Sequence, residues 1–172
     1  MMTNRIAIGW AAGVALLMFS SRLFSQEDPG KAVLGQVSVT VYYATNGDPV
    51  VAGKKTVPVS AATEKRLRGA ERLRFKNYRM LGQDVQPLLR SYESWAQPLK
   101  PSDEILVRFE ARSLPTEQAT GLDLELWLSR EKVLKMDARL EGDRSLFVLG
   151  PEWRGGRLII GVALAPPKKP GS

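Results

Sequence analysis

Asp123, Glu125 and Trp127 follow one another at intervals of two residues on a predicted strand, so their side chains share one face. A glycosidase uses one carboxylic acid to protonate the leaving oxygen and a second carboxylate as base or nucleophile. Catalytic pairs normally flank a cleft from different elements, whereas same-face neighbours on one strand lie about 7 Å apart. The spacing therefore indicates an exposed strand face rather than a hydrolase site.

A basic run between Lys65 and Arg79 is the second candidate site. It contains one acidic residue, Glu71, and seven cations: Lys65, Arg66, Arg68, Arg72, Arg74, Lys76 and Arg79. These seven residues are the possible anion-binding residues of the chain. A run of this kind could meet nucleic acid, anionic lipid or an acidic polysaccharide. The alternative is a solvated helix face followed by an edge strand whose charges prevent aggregation.

Two short sequences contain oxygen atoms that calcium would accept, Asn46-Gly47-Asp48 and Glu141-Gly142-Asp143. Neither continues into the series of spaced acidic ligands that a calcium loop needs. Asparagine, glycine and aspartate also favour turns. We therefore predict two turns at these positions and no metal site.

Aromatic residues occur at intervals that could bring them together around a ligand groove. They are Tyr42, Tyr43, Tyr92, Trp95, Trp127 and Trp153. Because large aromatic side chains dominate the energetics of protein cores, we expect most of them in the core of the domain.

The chain has no cysteine and no histidine among its 172 residues, and its formal net charge is +7. These absences exclude Ser-His-Asp and Cys-His nucleophile pairs, imidazole bases and metal sites built from histidine or cysteine. They also exclude a disulfide framework and the lipobox of a bacterial lipoprotein. Any chemistry would depend on carboxylates, lysine, tyrosine or a hard cation. We predict that the protein is not an enzyme and has no cofactor.

The first 25 residues follow the pattern of a secretory signal peptide. Arg5 precedes an uncharged apolar run from Ile6 to Phe19, and Ser25 is a small residue at a plausible cleavage position. The run is shorter than the roughly 20 residues that span a bilayer. We predict export to the periplasm or the cell exterior, with no transmembrane span in the mature chain. The alternative is an inner-membrane anchor formed by residues 6–24.

Alternation of apolar and polar residues predicts an all-β fold, either an antiparallel sandwich or a partly open barrel. The first strand is predicted to begin at Gln36. A weaker extended stretch covers Val50 to Val59, where Pro58 indicates a sheet edge. A third strand is predicted over Arg74 to Leu81, with Gly82 as its stop.

One short helix is predicted from Ala61 to about Arg72, with Ser60 as its N-cap. The predicted division of the chain is a signal peptide at 1–25, a linker at 26–35, a β-rich globular domain at 36–165 and a disordered tail at 166–172.

Two hairpins are predicted in the second half of the chain. Leucines alternate over Leu122 to Leu128, and a turn at Arg130-Glu131 joins this strand to Val133–Leu140. A second hairpin joins 145–149 to 157–164 across a loop at 150–156. Residues 158–162 are almost all apolar, which is typical of a central strand buried on both faces.

Three short motifs carry a resemblance to a known group of proteins. They are Tyr78-Arg79-Met80-Leu81-Gly82, Leu149-Gly150-Pro151 and Gly156-Arg157-Leu158-Ile159-Ile160-Gly161. With these motifs, residues 65–165 resemble uncharacterised exported bacterial β-domain proteins of unknown function. The resemblance implies an envelope or secreted β domain and supplies no catalytic residue.

These observations predict an exported, non-catalytic β-sandwich domain that acts as a structural or partner-binding module in the bacterial envelope. The expected partner is another envelope or secreted protein. An anionic surface is a further possible partner, and no nucleic acid is expected. The alternatives are polyanion or polysaccharide binding through residues 65–79 and a carboxylate-dependent hydrolase built on Asp123 and Glu125.

Overall fold

A computed structural model describes residues 27–116, 119–142 and 144–165 of the chain. Within these ranges the chain forms one α-helix, α1 (Ala61–Gly69), and nine strands. The strands are β1 (Val33–Thr45), β2 (Val57–Pro58), β3 (Asn77–Leu89), β4 (Ser94–Ala96), β5 (Ile105–Ala111), β6 (Ala119–Leu128), β7 (Glu131–Glu141), β8 (Leu146–Trp153) and β9 (Gly156–Leu164). The predicted signal peptide, the predicted tail and Asp143 lie outside the described residues.

The strands form two antiparallel sheets, which confirms the predicted all-β class. One sheet has five strands in the order β2-β3-β1-β9-β8, and the other has four in the order β4-β5-β6-β7. Their inner faces share one hydrophobic core, to which both sheets contribute. The architecture is a sandwich, because each sheet keeps two edge strands within the described residues rather than closing into a barrel.

The centre of the core comes from the alternation in β1 and β6. Branched and apolar side chains at every second position fit one face of a pleated strand, so each strand turns a continuous apolar row inward. The buried residues of these rows are Val37, Val39, Val41, Leu122, Leu124 and Leu126. Strand β6 pairs with β7 from Leu128 opposite Glu131 onward. The predicted leucine row and its hairpin are confirmed, but the predicted turn at Arg130-Glu131 is wrong: the turn residues are Ser129 and Arg130, and Glu131 begins β7.

The predicted helix begins where expected but is shorter. The Ser60 hydroxyl accepts a hydrogen bond from the backbone N–H of Thr63 at 3.2 Å, which caps the first turn. The helix ends at Gly69 because Ala70 adopts an extended conformation, so the predicted end at Arg72 is wrong. Leu67 is buried on the outer face of the five-stranded sheet, in a second apolar cluster that also contains Ile159.

The third strand departs most from its prediction. The expected strand from Arg74 to Leu81 instead begins at Asn77 and continues to Leu89. Gly82, predicted as its stop, lies in the middle of the strand and pairs with Val41. A Cβ atom at residue 82 would collide with the backbone carbonyl of Pro98. This glycine therefore permits a close approach of two chain segments instead of ending the strand.

The extended stretch predicted over Val50 to Val59 is mostly a turn. Residues Pro49–Ala52 form a 3₁₀ turn, and only Val57–Pro58 pairs as a strand, at the edge that Pro58 predicted. Strand β1 begins at Val33, inside the segment assigned to a linker.

The second hairpin is longer than predicted. The loop expected over residues 150–156 contracts to the turn Arg154-Gly155, whose φ angles are 48° and 74°. Positive φ at both central residues is the geometry that suits the right-handed twist of a two-residue hairpin. Strand β9 lies between β1 and β8, and Leu158, Ile159, Ile160 and Val162 are buried in it. The predicted central strand is confirmed.

Asp84 ties the two sheets together at one side. It lies on β3 and accepts hydrogen bonds from the Lys100 ammonium and the Gln97 backbone N–H, both at 2.8 Å. Burial alone would raise the pKa of Asp84, but the hydrogen bonds from Lys100, Gln97 and Gln86 outweigh it and lower the pKa. The carboxylate therefore favours the folded state while it is ionised.

Truncation of Leu124, which is 2% exposed, should remove a central contact between the sheets. We expect Leu124→Ala to lower the free energy of unfolding by about 2 to 5 kcal/mol, measured by urea denaturation. Val133 is 51% exposed on β7, so Val133→Ala is the matched control and should change it little. An unchanged midpoint for Leu124→Ala would contradict the assignment of this face to the core.

Acidification should release the stabilisation contributed by Asp84. Its folded pKa lies below the ordinary value of 3.8, so the contribution is complete above that pH and is lost as the pH falls through the folded pKa. Asp84→Asn should therefore reduce stability at pH 7 and lose less stability than the parent protein on acidification. Asp103→Asn, at an exposed ion pair with Arg130, is the control. Parallel pH profiles for the parent and Asp84→Asn would refute the assignment.

Candidate functional site

The fold uses the side chains of Arg68 and Arg79 to fasten its own segments. The Arg79 guanidinium donates to the carbonyl of Thr56 at 2.6 Å and to its hydroxyl at 3.0 Å, which holds the chain just before β2. The Arg68 guanidinium donates to the Lys76 carbonyl at 2.7 Å and forms an ion pair with Glu64. Neither arginine belongs to a freely solvated helix face.

Arg66 and Arg74 also contact the domain itself. Arg66 lies over the ring of Phe147 at 5.7 Å and approaches the Ser145 carbonyl at 3.4 Å. Arg74 donates to the Arg68 carbonyl at 3.2 Å. A carbonyl oxygen is a dipole without net charge, so the contact with the Arg68 carbonyl orients the Arg74 guanidinium group without neutralising its positive charge.

The remaining cations of the run are Lys65, Arg72 and Lys76, and all are exposed. Their side chains make no hydrogen bond or ion pair with other residues in the described part of the chain. The seven predicted anion-binding residues thus divide into four that brace the fold and three that face solvent. The run does not form one continuous helical face, because the chain leaves the helix at Ala70 and enters a separate 3₁₀ turn at Glu71–Leu73.

The basic run comes next to the turn after β1. The backbone N–H of Lys76 donates to Asn46 Oδ1 at 3.0 Å, and Asn77 Nδ2 donates to the Gly47 carbonyl at 2.9 Å. Asp48 Oδ1 accepts from the Val50 N–H at 2.9 Å, so the side-chain oxygens of this turn bind backbone groups. Asn46-Gly47-Asp48 is therefore a turn, as predicted. Across the described residues, no group of three or more carboxylates is placed to hold a metal ion.

A cleft of about 440 Å³ opens at this end of the five-stranded sheet. Its walls include Asn46 from the turn after β1, Phe75 from the segment before β3, and Arg154 and Arg157 from the β8–β9 hairpin. We call this region the basic end: residues 45–48, residues 74–77 and the hairpin residues 152–157. Sequence reasoning placed Arg154 and Arg157 only in a turn and a strand. Their position around Gly155-Gly156, in a hairpin turn, was the available signal.

Arg157 is incompletely paired in this cleft. Its Nε atom is buried and has no hydrogen-bond partner among the described residues. Its Nη1 atom lies 3.6 Å from Glu152, whose side chain is 84% exposed. A guanidinium group presents a planar set of donors that matches the oxygens of a carboxylate or phosphate. The basic end therefore has the donors and the charge to hold an oxyanion.

The neighbouring hairpin turn is held firmly in place. The Tyr43 hydroxyl donates to the Arg154 carbonyl at 2.9 Å, and the Tyr43 ring meets Trp153 edge-on with 5.6 Å between centroids. The Arg154 guanidinium lies 4.4 Å from the centre of the Trp153 ring. A turn fixed in this way presents Arg154 without first having to be ordered.

The aromatic residues do not form one groove, and the expectation that most lie in the core holds only in part. Tyr43 is buried, whereas Tyr92 and Trp95 are exposed. Trp95 contacts Trp127 at 5.6 Å between centroids on the outer face of the four-stranded sheet. Tyr43 and Trp153 lie on the other sheet, so the six aromatic residues are distributed over different parts of the fold.

The carboxylates Asp123 and Glu125 belong to an ion-pair network, and the predicted exposed strand face is wrong at Glu125, which is only 5% exposed beneath the side chains that pair with it. Lys135 Nζ lies 3.0 Å from Asp123 and 3.5 Å from Glu125, and Glu125 also meets Lys132 at 3.3 Å. The indole N–H of Trp127 donates to Glu125 Oε2 at 3.0 Å. Burial alone would raise the pKa of Glu125, but the hydrogen bonds from Trp127 and Lys132 and the nearby positive charges outweigh it and lower the pKa.

A lowered pKa keeps Glu125 ionised near neutral pH. The general acid of a glycosidase needs the opposite environment, one that raises the pKa so that a proton is available. Arg108 adds a further positive charge 3.8 Å from Glu125. The arrangement fits electrostatic stabilisation of a sheet surface, and it does not fit the acid of a hydrolase.

The chain matches no protein-family model, no curated protein and no solved structure. The resemblance to exported bacterial β-domain proteins therefore stays a prediction. Among the described residues, no helix has both the length and the apolar character needed to cross a membrane.

Glu125→Gln should destabilise the domain, because three cations would lose the carboxylate with which they form ion pairs. We expect a lower thermal midpoint for this variant, measured by circular dichroism. Asp137 forms one exposed ion pair with Arg112, which follows the end of β5, so Asp137→Asn is the matched control with a smaller expected effect. Equal midpoints for the two variants would show that the network around Glu125 adds no more stability than one exposed ion pair.

Proposed function

We propose that the protein is an exported, non-catalytic β domain that binds an anionic partner through its basic end. The observation that carries this proposal is the cleft lined by Arg154 and Arg157, next to which Lys76 of the basic run binds Asn46 through its backbone N–H. Two functions are predicted from the sequence, binding of a partner and binding of an anionic surface. In this proposal one site serves both.

The charge at this end supports the proposal because little of it is neutralised nearby. The basic end has four cations, Arg74, Lys76, Arg154 and Arg157, against two acids, Asp48 and Glu152, and Glu64 in the helix pairs with Arg68. Glu152 meets Arg157 only at 3.6 Å. An approaching polyanion would therefore find positive potential at the surface and exchange its counterions for arginine and lysine side chains.

The outer face of the four-stranded sheet gives a useful contrast. There, acids and bases pair across the sheet, as in the contacts of Asp123 and Glu125 on β6 with Lys135 on β7 and of Asp137 with Arg112 just beyond β5. Charges of opposite sign at these distances cancel one another beyond a Debye length of about 10 Å. That face offers no comparable attraction for an anion.

Charge reversal at Lys76 of the basic end and at Arg72, four residues before it in the basic run, should abolish retention on an anionic matrix. The variant is Arg72→Glu with Lys76→Glu, since these exposed side chains do not brace the fold. Arg68 is unsuitable because it holds the Lys76 carbonyl. The matched control, Lys31→Glu with Arg90→Glu, changes the same charge beside the Val33–Leu89 pair, at the opposite end of the sheet. We expect the parent's retention on heparin to weaken steeply as the salt concentration rises. The control should elute at nearly the same salt concentration as the parent.

Single variants in the cleft separate specific binding from general attraction. Arg157→Gln should weaken retention, and Glu152→Gln should strengthen it because a competing carboxylate is removed from Arg157. Thermal midpoints recorded for each variant show whether the fold is preserved. Retention equal to that of the parent in both the double reversal and Arg157→Gln would reject the proposed function.

A further inference from the structure

An exposed apolar loop lies beside the basic end. Val50 is 73% exposed, Val51 is 48% exposed and Val57 is 44% exposed. Two lysines, Lys54 and Lys55, lie between them in the sequence and are also exposed. Adjacent exposed valines flanked by lysines combine apolar surface with positive charge, which is the pairing found where proteins meet membrane surfaces.

The loop is held in a fixed conformation. Asp48 Oδ1 accepts from the Val50 N–H at 2.9 Å, and the Gly53 N–H donates to the Val50 carbonyl at 3.0 Å. Thr56 is buried and donates its hydroxyl proton to the Gly53 carbonyl at 2.9 Å. The turn that carries the valines is therefore already ordered. Little conformational entropy would be lost when these side chains insert into a partner surface.

Further contacts join the loop to cations of the basic run and of the basic end. Arg79 of the basic run donates to both the carbonyl and the hydroxyl oxygen of Thr56. Arg154 Nη1 approaches the Val51 carbonyl at 3.5 Å. The turn that carries Val50 and Val51 follows directly on Asn46-Gly47-Asp48, which meets Lys76. The exposed valines and the positive charges therefore lie at the same end of the domain.

We infer that the anionic partner is a lipid bilayer, with Val50 and Val51 entering the interfacial region while Lys54, Lys55 and Arg154 face headgroup phosphates. This inference rests on the proposed function and specifies its partner. A polysaccharide or a nucleic acid would use the charges but would offer no apolar layer for two adjacent valines. A bilayer uses both, because apolar burial and attraction to anionic lipid act in the same direction.

Co-sedimentation with vesicles tests the inference. The mature protein should bind vesicles that contain phosphatidylglycerol and bind those of pure phosphatidylcholine much more weakly. Val50→Ser with Val51→Ser should reduce partitioning about tenfold or more, since each valine contributes through its buried apolar area. The matched control, Val33→Ser with Val133→Ser, changes two exposed valines outside this loop and should bind like the parent.

Heparin retention of the same variants distinguishes this inference from the proposed function. The Val50 and Val51 double variant should keep its heparin retention while it loses vesicle binding. Retention on heparin without any vesicle binding by the parent would overturn the bilayer as partner and leave the proposed function standing. Vesicle binding unchanged by the double valine variant would overturn the role of the loop. Failure of the parent on both heparin and vesicles would overturn both proposals.

Discussion

Strand β1 forms backbone hydrogen bonds with a neighbour on each side, and its two faces enter two different apolar clusters. It pairs with β3 and with β9 along most of its length. Val37, Val39 and Val41 face the core between the sheets, whereas Tyr42 and Ala44 face the second cluster beneath α1. A shift of one residue in its register would exchange these faces and place Ser38 and Thr40 in the core. The positions of both clusters and of the basic end therefore depend on this register.

The basic end follows from where β1 stops. Thr45 pairs with Asn77, so the turn after β1 comes directly beside the segment that enters β3. Ala44 pairs with Arg157 on the other side, which brings the β8–β9 hairpin to the same place. Three chain segments far apart in sequence thus meet at one sheet end. The proposed anion site is a property of this junction and not of the basic run alone.

Arginine side chains have two roles in this domain. The role of each depends on whether its guanidinium group contacts a carbonyl oxygen or a carboxylate. Those that donate to carbonyl oxygens and have no carboxylate beside them, such as Arg74 and Arg79, brace loops and keep their net charge. Arg108, which lies against Glu93 and Glu110, has its charge neutralised. Bracing by carbonyl contacts therefore lets one segment stabilise the fold and still contribute positive potential at the surface.

The sequence by itself determined the all-β class, the leucine row of β6, the central strand β9 and the cap at Ser60, because these depend on periodicity and local hydrogen bonding. It indicated the sign and place of the basic run. The tertiary structure alone decided that β3 passes through Gly82, since a close approach to Pro98 has no local signature. It also decided which cations brace the fold, and that Arg154, Arg157 and Val51 lie beside Lys76. Such neighbours are set by strand register between distant segments, which residue types and spacing along the chain do not encode.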